Sequence, residues 1–141
     1  MAYEASRSAR QIPNMATVRA EGWLGEPIAI SAGQSKRVEA IRVAALGGAP
    51  NEPLKHRGEA ETCFVIKEIV GGTQSVWITD DEAAYDFGKQ LGILTWDTRT
   101  TLEHLIADGV LTATGAFDLL LEMLDADRYP RRLPTRPGDL T

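Results

Sequence analysis

The chain has 141 residues, a formal net charge of −5 from 15 lysines and arginines against 20 aspartates and glutamates, and 43% apolar residues. That length suits one domain with its own core, and the acidic balance excludes a broad basic footprint for nucleic acid. It does not exclude a carboxylate site for divalent cations, which is acidic by construction. No stretch reaches the ~18 uncharged apolar residues of a membrane span, and the opening "MAYEASRSAR" lacks the apolar core of a secretory signal, so a cytoplasmic protein is expected. The single cysteine, Cys63, sits in the apolar run "CFVI" and reads as a buried inert thiol. With two histidines and one cysteine, a zinc site would have to lean on carboxylates, which argues against zinc.

In chain order, "YEASRSARQ" (3–11) predicts a short helix stopped near Pro13, and "GEPIAI" a short strand ending at Ile30. Val38, Ile41 and Ala45 recur at helical spacing, with Gly47 and Gly48 as the stop. "APNEPLKHRG" reads as a loop. From Glu59 to about Ile69, Ala60, Cys63, Phe64, Val65 and Ile66 form an apolar arc wide enough for a largely buried helix. Gly71 and Gly72 then break the chain, and "SVWIT" reads as a strand.

"DDEAAYDFGKQLG" predicts a helix with Ala84, Phe87 and Leu91 on one face, closed by Gly92; "ILT" is a third strand candidate. "TTLE" places Thr100 three residues ahead of Glu103 as a capping box, with the helix ending before Gly109. A last helix after Thr112 stacks Phe117, Leu120, Leu121 and Leu124 in a core or partner-facing stripe. The tail "RYPRRLPTRPGDLT" is basic, proline-rich and expected to be extended without a core of its own. One domain over residues 1–127 and a tail over 128–141 are the expected divisions, with an α/β fold around a short parallel sheet. Three strands make such a sheet thin, with two unprotected edges, and the chain opens on a helix; a strand is expected to be missing in front of it.

Ligands of open α/β sheets bind beyond the carboxyl ends of the strands, which is where Asp80 and Asp81 fall. The plain alternative makes Asp80 a helix cap worth ~1 kcal/mol, with Asp81 and Glu82 as first-turn acids. A second acidic group, Glu59 and Glu61, starts the buried helix. Residues two apart on a helix point about 200° away from each other, so at most one of that pair can join the aspartates. Asp97, just past the third strand candidate, is either a third site acid or an N-cap. Carboxylates without histidine or cysteine are hard oxygen ligands suited to Mg2+ or Mn2+, which activate water and stabilise phosphodiester displacement. Glycoside hydrolysis is the rival for paired carboxylates, but aromatic residues make up only 6% of the chain. His56 and His104 have no serine or cysteine nucleophile at a strand-to-helix elbow, and the glycine pairs lack the lysine of a phosphate-binding loop.

"GEAETCFVI" (58–66), "SVWITDDEAAYDFGKQLGI" (75–93) and "LTWDT…LEHLIADGVLT" (94–112) together resemble, in order and spacing, the PIN-domain family and its VapC-like toxins. The resemblance implies a three-layer α/β/α domain that cleaves RNA with a metal held by three or four acids. On that pattern Glu59 is the helix acid, Asp81 the acid two residues after Thr79, Asp80 a further ligand or water contact, and Glu4 the acid of an early helix. Thr79 and Asp97 have supporting places. The family's first strand and its aspartate have no counterpart ahead of Glu4, which leaves a late start, a truncation, or a strand from another chain as the expectations.

The resulting functional expectation is a Mg2+- or Mn2+-dependent endoribonuclease of toxin type. RNA would be the substrate, steered by Arg57 and Arg99, with an antitoxin protein as partner; a homodimer is allowed and a membrane is not expected. The alternative is a catalytically impaired PIN-like binding module.

Overall fold

The computed structural model describes residues 22, 25–71 and 75–141; the expected helix at 3–11 and Glu4 lie outside them. The described chain is mixed α/β and mostly helical, with a two-stranded parallel sheet. Helix α1 spans Ala32–Ala44 and starts on a capping box: the Ser31 hydroxyl accepts from the Gln34 amide while the Gln34 side chain accepts from the Ser31 amide. Helix α2 spans Arg57–Phe64 and runs on as a π-helical turn, Val65–Val70, until Gly71 at φ 84° ends it.

Strand β1 (Val76–Ile78) leads into α3 (Glu82–Gln90), which returns to β2 (Leu94–Trp96). This is a βαβ unit, with Val76, Trp77 and Ile78 opposite Leu94, Thr95 and Trp96. Helices α4 (Thr98–Ala107) and α5 (Ala113–Asp125) follow, and a 3-10 turn at Pro137–Asp139 closes the chain.

Three apolar clusters hold these elements. Cys63, Ile66, Trp77, Ala84 and Ile93 bind α2 and α3 to the sheet. Val38, Leu46, Ala60 and Phe64 join α1 to α2. Leu102, Ala116, Leu120 and Leu140 join α4, α5 and the chain end. The expected face of α3 is the buried one, with Ala84 in the core and Phe87 and Leu91 packed against it. Gly88 explains how closely α3 approaches the sheet: a Cβ there would lie 2.5 Å from the Thr95 hydroxyl and 3.0 Å from the Trp77 ring. A residue that weakens a helix interior by ~1 kcal/mol is kept because nothing larger fits.

Several expectations shift. Residues 25–30 form no strand: Pro27 has no amide to donate, and Ile28 is exposed while Ile30 packs sideways against α1 and α2. The sheet among the described residues therefore has two strands, not three. Helix α4 begins three residues earlier than the Thr100 capping box predicts, because the Asp97 carboxylate takes the Thr100 amide at 2.8 Å. On α5 the buried stripe runs through Ala116 and Leu120, flanked by Phe117 and Met123, and Leu121 faces outward. The tail has no core of its own but inserts Leu140, fully buried, between α4 and α5. No helix among the described residues is long and apolar enough to cross a membrane.

Candidate metal centre

The carboxyl end of β1 decides where the two adjacent aspartates go. The Thr79 amide still donates to the Trp96 carbonyl at 3.0 Å, continuing the ladder one residue. The Thr79 hydroxyl then accepts from the Asp81 amide at 3.2 Å, a local turn that sends consecutive side chains apart. Asp81, not Asp80, caps α3, accepting the Ala84 amide at 2.8 Å through Oδ1.

Asp80 points the other way. Its Oδ1 accepts the Thr98 amide at 3.1 Å and the Arg131 amide at 3.2 Å, and its Oδ2 accepts the Thr98 hydroxyl. It pins the start of α4 and the tail to the end of β1. Asp97 is likewise engaged. It is wholly buried, caps α4, and receives a two-pronged contact from Arg132, both prongs at 2.8 Å. Burial alone would raise its pKa, but the Arg132 guanidinium and the Thr100 amide and hydroxyl outweigh that and hold the carboxyl well below the usual range.

On the opposite side, the start of α2 faces Asp81. Glu59 lies in its first turn, and His56 occupies the cap position in the left-handed conformation, φ 58° and ψ 15°, with no side-chain capping bond. One donor atom each from His56, Glu59 and Asp81 lie within 4.8 Å of one another, and all three side chains are half-buried. Glu61, two residues on, points elsewhere and pairs with Arg57 at 2.8 Å, as the helical geometry requires.

The loop carrying His56 is fixed from below by Arg42. This buried guanidinium is paired to Glu39 and donates to the carbonyls of Ala49, Glu52 and Lys55 at 3.1–3.3 Å. Gly48 makes room for it, since a Cβ there would come within 2.4 Å of Nη1.

Glu59 and Asp81 thus come together, and Asp80 and Asp97 form a separate group with the tail. Thr79 sits between them as the turn-former, and Glu4 lies outside the described residues. His56 is the member of the group that the sequence expectations do not include. The spacing His-x-x-Glu across a helix start was the available signal, because three residues is one turn.

Of the arginines expected to steer RNA, Arg57 holds an exposed i,i+4 pair with Glu61. Arg99 is tied to Glu103 and to the carbonyls of Arg132 and Asp139. Cys63 is 1% exposed, and burial pushes its thiol up to about 11, so it is protonated and inert at neutral pH. His104 is exposed and stacks on Trp96, ring centres 4.1 Å apart.

The donor set suits a divalent cation: two carboxylates supply hard oxygen, and the imidazole adds a borderline nitrogen. No protein-family model, curated protein or solved structure matches the chain.

Proposed function

We propose that the chain is a divalent-cation-dependent phosphodiesterase acting on RNA, built as a PIN-like three-layer α/β/α domain, with Mg2+ or Mn2+ held by Glu59 and Asp81. The observation that carries this reading is the convergence of Glu59 and Asp81 beyond the carboxyl end of a parallel strand. A cation bound there would polarise the phosphate and lower the pKa of a bound water. The protein's own part is to hold two carboxylates from different elements at fixed spacing.

Asp81 keeps one oxygen on the α3 cap, which fixes the direction of the other. Glu59 is anchored through α2, whose Ala60, Cys63 and Phe64 are buried. Arg57 stands two residues from Glu59, and its exposed pair with Glu61 is worth ~0.5 kcal/mol or less, so it can turn to a phosphate. Arg99 cannot do so without breaking the tail contacts. An antitoxin-like partner would reach such an acidic crevice with a basic segment.

The test is cleavage of single-stranded RNA in Mn2+ by the wild type, Glu59→Gln and Asp81→Asn. Each substitution is expected to lower the rate at least ~100-fold. Undiminished cleavage in either variant removes that residue from the mechanism.

A second reading, a non-catalytic interaction module, is favoured by one feature. A groove of about 530 Å³ lined by Ile28, Ile30, Val65, Ile66, Val70 and Val76 runs beside β1, which among the described residues pairs with β2 alone. Calorimetry separates the two: no heat of binding at millimolar Mn2+ favours the module.

A further inference from the structure

We infer that His56 is the third protein ligand of this centre, and that it turns a carboxylate site into one selecting first-row transition cations such as Mn2+, Co2+ and Zn2+ over Mg2+. The inference rests on the reading that Glu59 and Asp81 hold a cation, and goes beyond it by naming the residue that sets cation choice.

Geometry is the first support. Donors on opposite sides of a cation with ~2.1 Å bonds are ~4.2 Å apart. The three donors lie within 4.8 Å of one another, and neighbouring donors on one ion would be about 3 Å apart, so side-chain rotations that draw them together would close the set around one ion. Charge is the second. Arg57 is taken by Glu61 and Arg131 by Glu82, and among the described residues neither Glu59 nor Asp81 has an ion pair.

The third support is the local structure at His56, whose side chain does not cap its helix. A helix cap favours Ser, Thr, Asp or Asn by ~1 kcal/mol over residues that cannot cap. Here the cap position holds a histidine with no capping bond, in a left-handed conformation that costs a residue with a Cβ on the order of 1 kcal/mol or more. That conformation persists because Arg42 gathers three carbonyls of the preceding loop. The loop is thus held in a form that sets the imidazole opposite Glu59 and Asp81 instead of capping α2.

Ligand chemistry then gives the selectivity. Mg2+ prefers oxygen ligands in near-ideal octahedra and gains little from an imidazole nitrogen. Later first-row divalent cations bind imidazole well, in the order Mn2+ below Co2+, with Zn2+ above Mn2+. With two histidines and one cysteine the sequence argues against a zinc site because such a site must lean on carboxylates, but a mixed His-Glu-Asp set is a zinc-competent one.

The test uses the full chain with 15N-labelled histidine. There are only two imidazoles to follow, His56 and His104. Zn2+ is expected to move one ring nitrogen of His56 strongly at one equivalent and leave His104 in place, while Mg2+ moves neither. A shift at His104 alone, or none at His56 while Zn2+ binds, overturns the inference. Calorimetry on His56→Gly, which relieves the left-handed backbone, is expected to show at least a ~10-fold loss of Zn2+ and Mn2+ affinity with Mg2+ affinity unchanged within about twofold.

Glu59→Gln and Asp81→Asn separate the inference from the reading beneath it. If they lose Mn2+ while His56→Gly does not, the carboxylate site stands and the role of His56 falls. If only His56→Gly loses it, the carboxylate reading falls instead. Absence of binding by any of the cations overturns both.

Discussion

Asp80 and Asp81 are neighbours in the chain and belong to opposite kinds of site. On the Asp80 side, every carboxylate has its partners: Thr98 and the Arg131 amide for Asp80, Arg132 and Thr100 for Asp97. On the Asp81 side, the carboxylates of Glu59 and Asp81 meet an imidazole, with no arginine paired to them among the described residues. Acids at the end of a parallel sheet are therefore not alike. Asp80 and Asp97 take amides and a guanidinium from distant segments and tie the fold together, whereas Asp81 takes only the amide of its own helix and, with Glu59, faces an imidazole.

The largest effect that would sharpen this contrast is on stability at the closed side. Asp97→Ala removes a helix cap and leaves Arg132 without its partner. Because Arg132 is half-exposed, its share is discounted for solvent, and the expected loss is about 2 kcal/mol in urea unfolding, with cation affinity unchanged. The same carboxyl sets an acid dependence. Its folded pKa lies below the unfolded value, so its contribution is full above about pH 4 and is lost as the pH falls below that. Wild type should therefore lose more stability than Asp97→Asn between pH 6 and pH 3; equal losses would show that the ion pair does not form.

Next comes the open side, where the effect is on binding and not on folding. Glu59→Gln should lower Mn2+ affinity at least ~10-fold, about 1.4 kcal/mol, with no loss of Tm. Asp81→Asn should do the same, since asparagine caps a helix as well as aspartate. If either variant unfolds instead, that residue belongs with Asp97 and the contrast breaks.

Much of this contrast was legible in the sequence, and the rest was hidden for identifiable reasons. The helix periodicity of α1, α2 and α3 and the strands around Trp77 and Thr95 show in local pattern, because each buries one face. The opposition of Glu59 and Glu61 follows from the helical turn alone. The fate of Asp80 and Asp97 does not, since their tail partners lie 51 and 35 residues further along, in a segment whose composition reads as extended. The cap shifted from Asp80 to Asp81 because a threonine hydroxyl, not a carboxylate, formed the preceding turn. The place of His56 is not legible locally, because the loop that carries it is held by Arg42, whose burial no local pattern shows.

Smaller effects refine the picture. Asp80→Asn keeps one acceptor oxygen and loses the charge, so about 1 kcal/mol of stability should go with unchanged Mn2+ binding. Arg57→Ala, which breaks only an exposed pair on the open side, should change stability by no more than about 0.5 kcal/mol. A larger loss would place Arg57 among the structural cations, beside Arg132.

The most direct measurement is Mn2+ calorimetry on three proteins side by side: wild type, Glu59→Gln and Asp80→Asn. The division between the two sides predicts one bound ion in the wild type, the same affinity within about threefold in Asp80→Asn, and at least a ~10-fold loss in Glu59→Gln. Loss of binding in Asp80→Asn with retention in Glu59→Gln, or no binding to the wild type at millimolar Mn2+, would contradict it.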